Sequence, residues 1–146
     1  RAGRASSGGQ VVVQTLHGDE PSILYATSHN YEGFARWELQ SRQETNLPPF
    51  SRMVRLVVRH VSQEKTDAGA NQLTQRLRNI LPGEVVQVMG PMPAGVRRIR
   101  EQFRSQVLLV SSRAGYIQQV LSPRMAELMR DNPAEIVPDV DPLSLV

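Results

Sequence analysis

Two consecutive prolines, Pro48 and Pro49, place the strongest constraint on how this chain of 146 residues can fold. Proline lacks an amide hydrogen and biases the residue before it towards extended geometry, so a helix cannot continue through the pair. The hydrophobic pattern before the pair is helical, and the pattern after it is that of a strand. The sequence therefore predicts a domain boundary that separates residues 1–46 from residues 47–146.

The second segment alternates between strand and helix patterns. Its predicted strands cover 52–60, 84–89, 96–100, 104–111 and 135–140, and its predicted helices cover 64–81 and 115–130. The glycine and two prolines of residues 90–93 predict a rigid turn between the second and third strands. Pro123 lies inside the second of these helices and predicts an interruption there. This order predicts an α+β fold in which two helices pack on a four- to five-stranded, mainly antiparallel sheet with a split βαβ layout.

The first segment has a simpler pattern. Residues 10–16 are apolar and rich in valine, which predicts a strand. Two helices are expected after it, at about 20–28 and over 31–44, with Phe34 and Trp37 on the apolar side of the second.

Several classes of function are excluded or disfavoured by what the sequence lacks. It contains no cysteine, which excludes disulfides and thiolate metal sites. His17, His29 and His60 are too scattered to suggest a metal site. There is no Gly-rich phosphate loop, no nucleophile signature and no apolar run of the ~20 residues that a membrane helix needs. We therefore expect a non-catalytic chain without its own cofactor or metal.

The basic residues are almost all arginines. The net charge is +3, and Lys65 is the only lysine among 17 basic residues. Guanidinium groups bind phosphates through two parallel hydrogen bonds and stack on bases, which favours a nucleic-acid partner. A coding bias towards arginine explains the composition equally well, so the bias leaves both interpretations open.

The strongest local signal is a basic segment at a predicted hairpin. It combines guanidinium groups for phosphates with one aromatic ring on which a base can stack. The candidate DNA-binding residues are Arg97, Arg98, Arg100, Phe103 and Arg104. The alternative is a solvated hairpin whose phenylalanine packs into the core.

Two carboxylates near the end of the sequence, Asp139 and Asp141, invite a catalytic interpretation. General acid–base chemistry needs two such groups that converge on one site. Asp141 precedes Pro142, however, which favours a turn cap, so no catalytic residue is predicted.

Several short motifs occur in an order that resembles one family, the C-terminal region of bacterial replication-restart DNA helicases of the PriA (primosomal protein N′) type. The resemblance covers nearly the whole chain, and its specificity comes from the order of individually weak motifs. The motifs are Arg1–Arg4, Val11–Thr15, Tyr31–Phe34 with Glu38, Leu39 and Arg42, Leu47–Phe50, Val88–Ala94, Phe103-Arg104 with Gln106, Leu108 and Leu109, and Asp139–Pro142.

This resemblance implies an ATP-dependent 3′→5′ helicase that reloads the replication machinery at stalled forks in the cytoplasm, on the nucleoid. Residues 1–46 would be the end of the second helicase lobe and a helical linker. Arg1 and Arg4 are similar to the two arginines of helicase motif VI, which would make Arg1 the arginine finger of the ATP site and Arg4 its support. ATP, magnesium and zinc would bind to upstream parts of such a protein.

For residues 47–146 the resemblance implies a ribosomal-protein-like domain that contacts branched and single-stranded DNA, the single-stranded DNA-binding protein SSB and other primosome proteins. The SSB-docking residues would be Arg100, Arg104 and Gln106. The sequence departs from the family's RYRWQ stretch at two positions, with Gln102 in place of an arginine and Ser105 in place of a tryptophan. Arg100 is the candidate substitute for the missing positive charge.

Two further hypotheses remain beside DNA binding. The domain could be a protein-docking module for SSB or restart proteins without its own DNA binding. It could also be a structural brace for the helicase lobes.

Overall fold

The computed structural model describes residues 11–142. The chain separates into two compact units, with the division between Ser41 and Arg42. None of the helices between residues 11 and 142 combines the length and apolar character that a membrane span requires.

The N-terminal unit contains the two predicted helices. Helix α1 covers Pro21–Thr27, with proline in the first turn, and helix α2 begins at Tyr31 and ends at Glu44, beyond the division. The side-chain oxygen of Asn30 accepts a hydrogen bond of 2.9 Å from the backbone of Gly33, which caps the start of α2. The ring of Phe34 on α2 lies 6.2 Å from that of Tyr25 on α1, so aromatic contacts join the two helices.

The strand predicted over 10–16 is wrong for its described part. Residues 11–16 are exposed and form no strand. A strand is stabilised by hydrogen bonds to a neighbouring strand, and within residues 11–142 this valine-rich run pairs with none. Residue 10 lies outside the described residues.

The C-terminal unit has a four-stranded sheet in the order β2-β3-β1-β4, in which all neighbours are antiparallel. This confirms the predicted α+β class. Its strands are β1 (Arg52–His60), β2 (Gln87–Ile99), β3 (Gln102–Ser111) and β4 (Glu135–Val140), and its helices are α3 (Gln63–Ile80), α4 (Tyr116–Leu121) and α5 (Met125–Arg130). The predicted interruption is also confirmed, because a 3-10 turn over Ser122–Arg124 separates α4 from α5.

The main core lies between one face of the sheet and the helices. Successive strand residues point to opposite faces, and alternate residues of β1 and β3 are fully buried in this core. Its largest fully buried members are Leu56, Leu73, Leu77, Leu109 and Ile117. A smaller cluster of Met53, Leu108 and Val110 covers part of the other face. Because residues of β3 belong to this core, the core also holds the hairpin that β3 forms with β2.

One strand replaces two predicted ones. The sequence predicted a turn over residues 90–93 between separate strands, whereas β2 runs through them with register shifts. Gly90 has a φ of +122°, and an added Cβ would lie 3.0 Å from the backbone oxygen of Gln106, so only glycine fits there without strain. Pro91 and Pro93 are tolerated because β2 is an edge strand.

The opposite edge of the sheet is β4, and it too contains a proline. Pro138 lies within this strand, opposite Leu56 of β1. Both edges of the described sheet therefore contain residues that cannot donate a backbone hydrogen bond.

Candidate nucleic-acid interface

The predicted basic hairpin is formed by β2 and β3. Its two tip residues, Arg100 and Glu101, both have positive φ angles, +46° and +63°, and they follow the last residue pair, Ile99 opposite Gln102. Two left-handed residues are typical of a type I′ turn, whose twist matches that of the flanking strands. Arg100 and Glu101 are exposed, so the tip presents one cation and one anion to solvent.

Arg98 and Phe103 lie opposite each other, one pair below the strand ends. The guanidinium carbon of Arg98 is 5.1 Å from the centre of the Phe103 ring, a cation–π contact. The side chain of Phe103 is half-buried. It is therefore more exposed than a core residue and less exposed than a free stacking platform.

A large bulge separates this pair from the rest of the sheet. Four residues of β2, Ala94–Arg97, lie opposite the single residue Arg104 of β3. The Nη1 atom of Arg104 donates a hydrogen bond of 3.4 Å to the carbonyl oxygen of Val96. Arg104 therefore stabilises the bulge, and the bulge places Arg97 on the exposed side of the hairpin.

We refer to Arg97, Arg98, Arg100 and Arg104 as the hairpin arginines. In the part of the chain that the structure describes, none of them forms an ion pair, whereas four other arginines do. Those pairs are Arg52–Asp141 at 3.3 Å, Arg55–Asp139 at 2.7 Å, Arg59–Glu135 at 2.7 Å and Arg76–Asp131 at 3.5 Å. The hairpin therefore brings together four cations with which no carboxylate of the described residues forms an ion pair.

These ion pairs also explain the two acidic residues near the end of the sequence. Asp139 and Asp141 are each held by an arginine of β1, and Asp141 also accepts a backbone hydrogen bond of 3.3 Å from Met53. Among residues 11–142 no group of three potential metal ligands converges. The contacts of both carboxylates join β4, and the residue that follows it, to β1.

Two cavities flank the hairpin. The helix-side cavity, of about 350 Å³, lies between α3 and the hairpin. It is lined by Gln63, Thr66, Asp67, Ala70, Asn71, Pro91, Met92, Pro93, Arg97, Phe103, Arg104 and Ser105. The arginine cavity, of about 270 Å³, is lined by Arg59, Ile99, Arg100, Gln102 and Arg104.

The structure brings together two of the three predicted SSB-docking residues. Arg100 and Arg104 share the arginine cavity. Gln106 lines neither cavity and is only 5% exposed, between Val57 and Met92 on the neighbouring strands. Its Oε1 atom has no hydrogen-bond partner among the described residues. Arg1 and Arg4, the predicted contacts of the ATP site, lie outside the described residues.

Sequence reasoning missed two contributions to these cavities. Arg59 of β1 lines the arginine cavity, because it lies directly opposite Arg104 in the sheet. Gln63, Asp67 and Asn71 of α3 line the helix-side cavity. Their spacing of four residues places them on one face of a helix, which was the available signal.

Comparisons with known proteins match this chain to one family. The family model described as "Primosomal protein N C-terminal domain" matches residues 43–143. A replication restart protein PriA from Synechocystis sp. is 30% identical over 99% of this chain and 17% of its own length. The PriA protein of Haemophilus influenzae is 33% identical over 99% of this chain and 20% of its own length.

A third relative covers less of the chain. PriA of Bacillus subtilis is 28% identical over 75% of this chain and 13% of its own length. The chain thus spans a fifth or less of the length of these three relatives. Because the family model covers most of the chain, the resemblance predicted from the motifs is confirmed, and this chain belongs to the family of primosomal protein N (PriA) C-terminal domains.

Proposed function

We propose that this chain is the DNA- and partner-binding C-terminal domain of an ATP-dependent 3′→5′ DNA helicase that restarts replication at stalled forks. Its relatives carry the name replication restart protein, and the chain matches a fifth or less of the length of those compared. In this proposal the chain itself is non-catalytic. ATP hydrolysis with magnesium, unwinding and zinc binding belong to the remaining parts of such a protein, which acts on nucleoid DNA in the cytoplasm.

The observation that carries the DNA-binding part is the uncompensated charge of the hairpin arginines. Within residues 11–142 none of them is neutralised by a carboxylate, although the fold provides ion-pair partners for four other arginines. Phosphates of a DNA backbone supply the missing negative charge, and their counterions are released on binding.

The hairpin geometry assigns different tasks to these residues. Arg97, Arg98 and Arg100 are exposed and hold phosphates. Arg104 already donates to the carbonyl of Val96, so it supports the bulge in addition to contributing charge. Contacts of this kind depend on the backbone of the DNA, so they favour affinity and position over base sequence.

The proposal is tested by titrating the chain against a labelled model fork and against single-stranded DNA at two salt concentrations, with fluorescence anisotropy as the measurement. We expect salt-dependent binding that favours the fork. Arg98→Ala combined with Arg100→Ala should lower the log–log salt slope by about one unit for each phosphate contact removed.

A matched control separates a local contact from the loss of total charge. Arg124→Ala with Arg130→Ala removes the same charge from exposed residues at α5, outside both cavities. This control should keep most of the fork affinity. Equal losses for the two double variants would contradict a specific role for the hairpin.

A second candidate function is docking of SSB, and the arginine cavity favours it. Arg59, Arg100 and Arg104 line this cavity together with Ile99, whose side chain is 43% exposed. Arg59 is already paired with Glu135, so Arg100 and Arg104 supply the free positive charge. A cavity with two such cations and one apolar wall is complementary to an acidic peptide that ends in an aromatic residue. Other primosome proteins with acidic segments are expected to use the same surface.

The two candidate functions differ in the ligand that the hairpin binds, which is DNA in the first and an acidic peptide in the second. An acidic peptide ending in phenylalanine should bind the unsubstituted chain and lose affinity in Arg104→Ala. Peptide binding without any DNA binding would make the chain a protein-docking module. Absence of peptide binding at low salt would remove the docking role of this cavity.

A further inference from the structure

The helix-side cavity has the size of a small-molecule site and a mixed lining. Its volume of about 350 Å³ lies within the range of about 300–1,000 Å³ that is typical of ligand pockets. Its lining includes two small residues, Ala70 and Ser105, and one aromatic residue, Phe103. Gln63 and Asn71 add amide groups from α3. Phosphate binding by the hairpin arginines does not account for the polar side of this cavity that α3 contributes.

Three charged side chains, one acidic and two basic, line the cavity without forming an ion pair with one another: Asp67, Arg97 and Arg104. Asp67 extends from α3 and Arg97 from the bulge, and neither forms an ion pair within the described residues 11–142. A purely anionic ligand would be repelled by Asp67, and a purely apolar ligand would leave these charges desolvated. The combination suits a ligand that is anionic at one end and donates hydrogen bonds at the other.

Phe103 restricts the shape of such a ligand. Its ring lies at the cavity wall and carries the guanidinium group of Arg98 at 5.1 Å. Aromatic rings of this kind are platforms for flat bases, and stacking is effective for every base of a single strand. A nucleotide offers a phosphate, a flat ring and a base edge in one molecule, and so matches all three features.

We propose that this cavity takes one unpaired guanine nucleotide of the bound DNA. Phe103 stacks on the base, Asp67 accepts hydrogen bonds from its N1–H and N2 amino groups, and Arg97 holds its phosphate. Guanine is the DNA base that presents two adjacent donors on its Watson–Crick edge, which matches the two oxygens of a carboxylate. The inference rests on the proposed function, because it concerns DNA already held by the hairpin.

The test uses three labelled oligothymidines that differ in one central nucleotide, which is thymidine, deoxyguanosine or deoxyinosine. Inosine keeps N1–H and lacks the N2 amino group. The unsubstituted chain should bind the guanine oligonucleotide roughly tenfold more tightly than the thymidine one, with inosine between them, as expected for a good two-bond base contact. Asp67→Asn should abolish the preference for guanine over inosine.

Two variants serve as controls. Glu64→Gln removes the same charge from an exposed residue of α3 that does not line the cavity, and it should keep the preference for guanine. Phe103→Leu retains an apolar side chain and removes the ring, so it should weaken binding of all three oligonucleotides. If Phe103→Leu fails to fold, the exposed Asp67 still allows the decisive comparison.

The outcomes separate this inference from the proposed function. Binding of all three oligonucleotides with equal affinity overturns the guanine site and leaves DNA binding by the hairpin intact. No binding of any oligonucleotide at low salt overturns both. A guanine preference that survives Asp67→Asn also overturns the assignment of the cavity.

Discussion

Arg59 of β1 and Glu135 of β4 face each other across the sheet and form two hydrogen bonds. The Nε atom of Arg59 lies 2.9 Å from Oε2 of Glu135, and the Nη2 atom lies 2.7 Å from Oε1. The hydrogen bonds and the charge of Arg59 lower the pKa of the Glu135 carboxyl below its usual value. Both side chains are substantially exposed, so this pair contributes little stability.

The first prediction concerns the stability of Glu135→Gln. A carboxyl whose pKa is lowered by folding stabilises the protein above its unfolded-state pKa, and this contribution disappears as the pH falls through the folded-state pKa. The variant should lose less than about 1 kcal/mol at neutral pH and nothing once the carboxyl is protonated in both states. Urea unfolding at neutral and strongly acidic pH checks this. The exposed Glu127 allows a control, Glu127→Gln, whose effect should not follow this titration.

The second prediction concerns the main core. Leu56 is 0% exposed, and truncation to alanine removes buried methyl groups from a central strand. Leu56→Ala should lower the free energy of unfolding by about 2–5 kcal/mol, and urea unfolding measures the loss. Val61→Ala is the control, because this side chain is 63% exposed and should cost less than about 0.5 kcal/mol. Similar losses for both would contradict the described core.

The third prediction concerns the glycine that lets β2 continue. Gly90→Ala places a Cβ 3.0 Å from the Gln106 carbonyl oxygen at a φ of +122°. We expect a loss of about 1–3 kcal/mol in the free energy of unfolding, from backbone strain. Gly83→Ala should be close to neutral, because its Cβ would meet nothing within 4 Å. A neutral Gly90→Ala would show that the strand relaxes without cost.

The fourth prediction concerns the single acid at the hairpin tip. Glu101 is exposed beside Arg100, and its negative charge opposes the approach of a phosphate backbone. Glu101→Gln should tighten fork binding up to about fivefold at low salt, and the gain should shrink as salt is raised. Anisotropy titration measures it. Unchanged affinity at low salt would place the tip away from the path of the DNA.

The hairpin shows how much of the candidate site local sequence can predict. The reversal between residues 100 and 104 followed from two strand patterns around a polar segment, and the structure places the tip at Arg100 and Glu101. The interruption at Pro123 followed equally directly from the chemistry of proline. Both features depend on residues close in sequence.

Features that depend on distant residues could not be predicted in the same way. The pairing of Arg55 with Asp139 requires β1 and β4 to be neighbours, although these residues are 84 positions apart. The two prolines of β2 predicted a turn, because the local sequence does not reveal that this strand lies at a sheet edge, where prolines are tolerated. Residues 11–16 had the composition of a strand, but composition does not supply a partner strand.

The prolines at both edges of the sheet restrict how another chain can be recognised. An extended peptide that adds itself to a sheet needs an uninterrupted row of backbone donors and acceptors along the edge. Pro91, Pro93 and the bulge over Ala94–Arg97 break that row in β2, and Pro138 breaks it in β4. Strand addition, including the edge-to-edge pairing that leads to aggregation, is therefore disfavoured on both sides. Recognition is left to side chains, so substitutions at the protein surface can change a partner without rebuilding the backbone.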